Sequence, residues 1–147
     1  MWIDDGTALY FFRDGKKHNG FGVDGNEKRY FVNGKYANGV YEGKFYKDGV
    51  KTTGNIYVND VLYVNGEPAN GWHEHENITF YFKEGKKFTG FIQIGKINKY
   101  IVNGRYAYGY ANDIFYAYGV PVNGWQFDGI KKFYFKEGKK FTGTIKE

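Results

Sequence analysis

The sequence predicts an all-β fold, a solenoid-like tandem array of eight short β-hairpins, and three observations lead to it. Aromatic residues make up 22% of the 147 positions, alongside 22 glycines and only two prolines. Aromatic strand formers interrupted at short intervals by glycine make strands and tight turns. No segment sustains the i, i+3, i+4, i+7 apolar spacing of a helix face. The third observation is a repeat. A turn glycine recurs as Gly15, Gly34, Gly49, Gly66, Gly85, Gly104, Gly119 and Gly138, and five residues after each stands another: Gly20, Gly39, Gly54, Gly71, Gly90, Gly109, Gly124 and Gly143.

Each part of the unit has a physical reason. Most of the turn glycines follow Asp, Asn or Glu, and glycine accepts the positive φ that a primed hairpin turn requires. Two large, mostly aromatic residues sit four and three positions before each turn glycine, from Phe11-Phe12 in the first unit to Tyr134-Phe135 in the last. Neighbours in a strand face opposite ways. One of the pair therefore supplies the core, and the other is covered by the next unit or left as an aromatic surface. The second glycine is expected at a bend into the following strand. A lone hairpin is marginal in water, whereas stacked hairpins bury a continuous core.

A longer period overlies the short one. Gly15 to Gly85, Gly34 to Gly104 and Gly49 to Gly119 are each 70 residues apart, and Gly66 to Gly138 is 72. Units one to four therefore read as a block copied to give units five to eight. No linker separates the halves, so residues 1–147 are expected to form one repeat domain. The stretch FYFKEGKKFTG, present as Phe80–Gly90 and again as Phe133–Gly143, is the plainest remnant of the copying.

Composition narrows the chemistry. The chain has neither cysteine nor serine, so thiol and Ser-based nucleophiles, disulfides and thiolate metal sites are excluded. The acids Asp14, Asp48, Glu84 and Glu137 recur at one turn position, as turn chemistry predicts and a single catalytic pair does not. His73 and His75 would share one strand face, but two ligands fall short of a metal site. No enzyme activity, cofactor or metal is expected. The net charge of +5 comes from lysines set beside acids in turns ("RDGKK", "KEGKK"), so no nucleic-acid surface is expected. No apolar run approaches the ~20 residues of a membrane span, and no export signal is read at the N-terminus.

The tryptophans fall at one phase. Trp2, Trp72 and Trp125 each precede a turn glycine by 13 residues, and two of them follow a closing glycine as "NGW". Phe21, Val40, Asn55, Phe91 and Tyr110 follow the closing glycine in the other units. An indole at a fixed repeat phase packs between units or, in a groove beside a tyrosine, forms a stacking platform for a sugar ring or a cation.

The stretches Asn123–Gly143 (NGWQFDGIKKFYFKEGKKFTG) and Asn70–Gly90 (NGWHEHENITFYFKEGKKFTG) resemble the cell-wall-binding repeats of choline-binding and glucan-binding proteins. The resemblance implies stacked hairpins with ligand sites between neighbours. It places the family's tryptophan at Trp72, Trp125 and Trp2, and its paired aromatics at Tyr81-Phe82, Tyr134-Phe135 and Phe11-Phe12. Lys87 and Lys140 replace the methionine common after the central glycine, and no unit carries the second tryptophan of a choline cage. Those departures favour a neutral or anionic glycan over choline. A more distant resemblance is to MORN repeats, whose period is longer and steadier.

The functional expectation is a non-catalytic repeat module that binds a glycan or cell-envelope polymer, on a bacterial surface protein or a phage fibre or tail. Ligand contacts are expected from Trp72, Trp125, Tyr81, Tyr134 and Trp2, with Lys87 and Lys140 in support. Weak sites would gain affinity by repetition. The alternative is a virion or scaffold component whose aromatic faces pack against other subunits, as a homo-oligomer or in a larger assembly. Either reading places the protein outside the cell, on its surface or in a virion.

Overall fold

The computed structural model describes residues 1–143, which contain strands and turns and no helix. The strands form eight three-stranded antiparallel sheets in chain order, one per repeat unit. In the first, β1 (Trp2–Asp4) pairs with β2 (Leu9–Arg13), and β2 then pairs with the two-residue β3 (Lys16–Lys17). The central strands of the other seven are Glu27–Val32, Lys44–Lys47, Val61–Val64, Ile78–Lys83, Ile97–Val102, Ile114–Ala117 and Lys132–Lys136. Contacts group the chain into two compact units, Met1–Asn70 with Glu84–Lys86, and Gly71–Lys83 with the residues from Lys87 on. The division after Asn70 falls at the 70-residue period of the sequence.

All eight turn glycines have positive φ, between 77° and 82°, and so do all eight residues before them. Two successive positive φ values define the primed turn the sequence predicts. The closing glycines are likewise at positive φ, from 77° to 151°. Hairpin length explains the uneven steps. Hairpin two pairs five residues on its long arm and hairpin three only three, so the step to Gly49 is four residues shorter than the step to Gly34. The 72-residue interval has a local cause too. Hairpin four turns through Asn59-Asp60, whereas hairpin eight uses the longer loop 128–131, in which Asp128 Oδ1 accepts the Ile130 and Lys131 amides.

The turn glycine is where consecutive hairpins join. In the first contact unit, the amides of Phe11, Tyr30, Phe45 and Leu62 donate to the carbonyls of Gly34, Gly49, Gly66 and Gly85. In the second, Tyr81, Tyr100 and Phe115 donate to Gly104, Gly119 and Gly138. The approach is close enough to exclude a side chain. A Cβ on Gly104 would lie 2.9 Å from Phe80 Cβ and 3.1 Å from the Tyr81 carbonyl oxygen. On Gly15, the turn glycine of the first hairpin, the same atom would meet nothing within 4 Å.

The paired aromatics divide their work as the strand period requires. The second member is buried in hairpins two to eight: Phe31, Tyr46, Tyr63, Phe82, Ile101, Tyr116 and Phe135. The first member lies against the second member of the next hairpin. Tyr30 stacks on Tyr46 at 4.8 Å, Tyr100 on Tyr116 at 5.1 Å and Phe115 on Phe135 at 4.9 Å. Offset stacking of this kind adds about 0.5–1.5 kcal/mol per pair beyond burial. In hairpin four the residue facing the first member is Tyr57, paired with Leu62, because two further residues precede it on the strand. Tyr57, and not Asn55, therefore holds the tryptophan position there.

A side-chain cap completes most junctions. The residue before the closing glycine, Asn or Thr, accepts the amide of the next turn's first residue. Asn19 takes Asn33, Asn38 takes Asp48, Asn70 takes Glu84, Thr89 takes Asn103 and Asn123 takes Glu137, at 2.7–3.0 Å.

Substituting Gly104 by Ala combines positive-φ strain with a backbone collision and is expected to cost about 2–4 kcal/mol. Gly15→Ala meets only the φ penalty, about 1 kcal/mol. Urea denaturation of the two variants checks this, and equal losses would contradict the junction role of Gly104.

Candidate functional site

The second contact unit holds a cavity of about 830 Å³ whose walls come from hairpins five, six and seven. Hairpin five contributes Trp72 and Thr79, hairpin six Arg105, Tyr106 and Tyr108, and hairpin seven Tyr110, Ala111 and Tyr118. Trp72 is there because it follows the closing Gly71 and pairs across the strand with Tyr81. Its indole is 39% exposed. Its ring stands edge-on to Tyr81 at 5.2 Å and to Tyr106, two residues beyond the next turn glycine, at 5.3 Å. Lys99 Nζ lies 4.5 Å over the Tyr106 ring. Tyr108 and Tyr118 meet edge to face at 4.7 Å. Desolvation, then the hydrogen bond to Tyr118, push the Tyr108 phenol up to about 12, so it is neutral at physiological pH.

This lining is aromatic and basic. It offers ring faces and edges, hydroxyls and one guanidinium. Such walls suit the apolar faces and hydroxyl groups of a pyranose ring.

The other sequence-predicted residues fall in different places. Trp125 is 51% exposed, pairs with Tyr134 across its strand, and meets that ring edge-on at 5.3 Å. Lys132 Nζ stands 5.8 Å from the Trp125 ring. Tyr81 and Tyr134 are half-buried beneath their tryptophans and also touch Phe88 and Phe141. Lys87 and Lys140 lie over Phe80 and Phe133, the first residues of the duplicated stretch, at 3.9 and 3.8 Å. Lys140 also reaches Asp128 at 3.7 Å. Lys140 Nζ also stands 5.9 Å from the ring of Tyr110, a cavity residue of the preceding hairpin, and neither lysine itself lines the cavity.

Trp2 sits in the equivalent of the Trp72 position, 70 residues earlier, but its surroundings differ. Its ring is edge-on to Tyr36 at 5.3 Å, as Trp72 is to Tyr106. Here, however, Asp24 bridges the pair, accepting from Trp2 Nε1 at 3.0 Å and from the Tyr36 hydroxyl. The equivalent of Asp24 in the second copy is Ile94. Hydrogen bonds from Tyr36 and Trp2 hold the Asp24 carboxyl below its ordinary value.

Sequence reading found Trp72 and missed Tyr106, Tyr108, Tyr110, Tyr118 and Arg105. One signal was present. Seven of the eight residues before a turn glycine are Asp, Asn or Glu, and the eighth is Tyr118.

No known family's sequence model matches the chain, and no curated protein is similar to it. Among solved structures, the chain is similar to choline-binding protein F from Streptococcus pneumoniae, at 19% identity and a TM-score of 0.41 over 91% of this chain and 55% of that one. The same protein in the presence of a peptidoglycan analogue, a tetrasaccharide-pentapeptide, gives 23% identity and a TM-score of 0.42 over 97% and 57%. CbpJ from Streptococcus pneumoniae gives 19% identity and 0.40 over 95% and 51%. The chain thus spans about half the length of these structures.

Because Asp24 titrates lower in the folded chain than in the unfolded one, its contribution is complete above the unfolded value of 3.8 and is lost as pH falls through the folded value. The difference in unfolding midpoint between the wild type and Asp24→Asn should therefore be constant from pH 7 to 5 and shrink below pH 4. Parallel curves down to acid pH would contradict the bridge.

Proposed function

We propose that the chain is a non-catalytic module that binds a pyranose-ring glycan of the cell envelope, with the site at Trp72. The observation that carries this reading is the cavity beside Trp72, whose 830 Å³ is near the upper end of the ~300–1,000 Å³ typical of ligand sites. Its volume and its several ring walls fit a segment of oligosaccharide better than a single sugar. Arg105 in the lining and Lys99 behind Tyr106 oppose a cationic ligand and favour a neutral or anionic one. The departures of the repeats from the choline-binding pattern, with no second tryptophan in any unit and Lys87 and Lys140 in place of methionine, support the same ligand class. A bacterial surface protein or a phage fibre would carry such a module to the wall. Trp125, paired with Tyr134, is more exposed and lies outside the cavity lining.

Co-sedimentation with insoluble peptidoglycan tests the proposal. The wild type should pellet with the polymer. Trp72→Ala, which removes a partly exposed ring and leaves the buried core intact, should weaken retention at least tenfold, ~1.4 kcal/mol, with an unchanged circular dichroism spectrum. A wild type that ignores peptidoglycan and forms a stable oligomer would overturn the reading in favour of a structural role.

A further inference from the structure

The 70-residue duplication supplies an internal control for the site. Hairpins one to three and five to seven descend from one block, so residues 70 apart occupy equivalent positions. Part of the cavity lining is common to both copies: Trp72, Val102, Tyr106 and Ala107 match Trp2, Val32, Tyr36 and Ala37, and Arg105 matches Lys35 in charge. Four of the lining residues that differ lie at one junction. Asn38, Val40, Tyr41 and Asp48 in the first copy become Tyr108, Tyr110, Ala111 and Tyr118 in the second. All four second-copy residues line the cavity. Replacing Tyr41 by Ala opens space, and the other three changes add aromatic walls.

Two of these changes work against the fold. In the first copy, Asn38 Oδ1 accepts the Asp48 amide at 2.9 Å, the cap seen at most junctions. Tyr108 replaces the side-chain acceptor of that cap, and Tyr118 stands at its donor, a backbone amide. Tyr118 also takes a φ of 52°, which Asn and Asp tolerate and a bulky aromatic side chain disfavours. The rings are 60% and 65% exposed, and what they gain within the fold is their mutual edge-to-face contact and hydrogen bond. Both line one cavity, a placement that suits contact with a ligand better than turn stability.

We propose that Tyr108 and Tyr118 are ligand-contact residues that make the sixth-to-seventh hairpin junction a single specific site for a pyranose oligosaccharide. The equivalent junction of the first copy, with its Asn38–Asp48 cap and its Asp24 bridge, serves only the fold. The proposal rests on the glycan-binding reading above. It replaces affinity by repetition with one site per chain.

The test restores the first copy's cap in the second, as the double variant Tyr108→Asn/Tyr118→Asp. Calorimetric titration with muramidase-solubilised peptidoglycan should give one site per chain for the wild type and at least a tenfold weaker affinity for the double variant. Thermal unfolding of the same variant should show Tm raised by about 2–6 °C. Opposite movements of affinity and stability are the expected result, because a structural role for the tyrosine pair would lower Tm. Affinity within twofold of wild type, while Trp72→Ala still abolishes binding, overturns this proposal and leaves the glycan-binding reading standing. A lowered Tm in the double variant also overturns it. A wild type that binds none of the fragments overturns both.

Discussion

The fold depends on a glycine that must satisfy two constraints at once. Each turn glycine adopts a positive φ to reverse its own strand, and most also press against the backbone of the hairpin before. At Gly34, Gly49 and Gly66 in one contact unit, and at Gly104, Gly119 and Gly138 in the other, an added Cβ would come within 2.4–3.0 Å of a side-chain or backbone atom. That contact lets the glycine carbonyl accept an amide from the preceding central strand. It also fixes the spacing at which the aromatic of one hairpin stacks on that of the next. Without the missing side chain there would be neither the hydrogen bond nor the stacking, and a hairpin of three to five residue pairs would have no core.

The junction explains why the repeat was so legible. Turn chemistry, the second glycine and the aromatic pair are each forced by backbone geometry or burial, and such constraints leave the same letters in every copy. Gly34 and Gly104, or Phe31 and Phe82, could be read straight from the sequence. The assignment of Asn55 to the tryptophan position failed because a strand can lengthen by two residues without moving its turn. Only the cross-strand register reveals that Tyr57 stands opposite Leu62.

The candidate site was less legible for a related reason. A repeat pattern shows what the fold requires, and a reader attends to positions that conform. Trp72 conformed to the phase of Trp2 and Trp125 and was found. Tyr108 and Tyr118 are informative because they depart from it. Their pairing could not be seen in the sequence, since they stand ten positions apart, on either side of the closing Gly109, until the chain folds. Lys87 and Lys140 recur with the duplicated stretch, and each lies over the first phenylalanine of its own copy.

The chain has three tryptophans, so it offers three indole N–H resonances that report on the site separately. Titrating 15N-labelled protein with muramidase-solubilised peptidoglycan should shift the Trp72 resonance and leave that of Trp2, held by Asp24, in place. A shift at Trp2 equal to that at Trp72 would contradict the account. It would mean that both copies bind and that the tyrosine-walled junction has no special part.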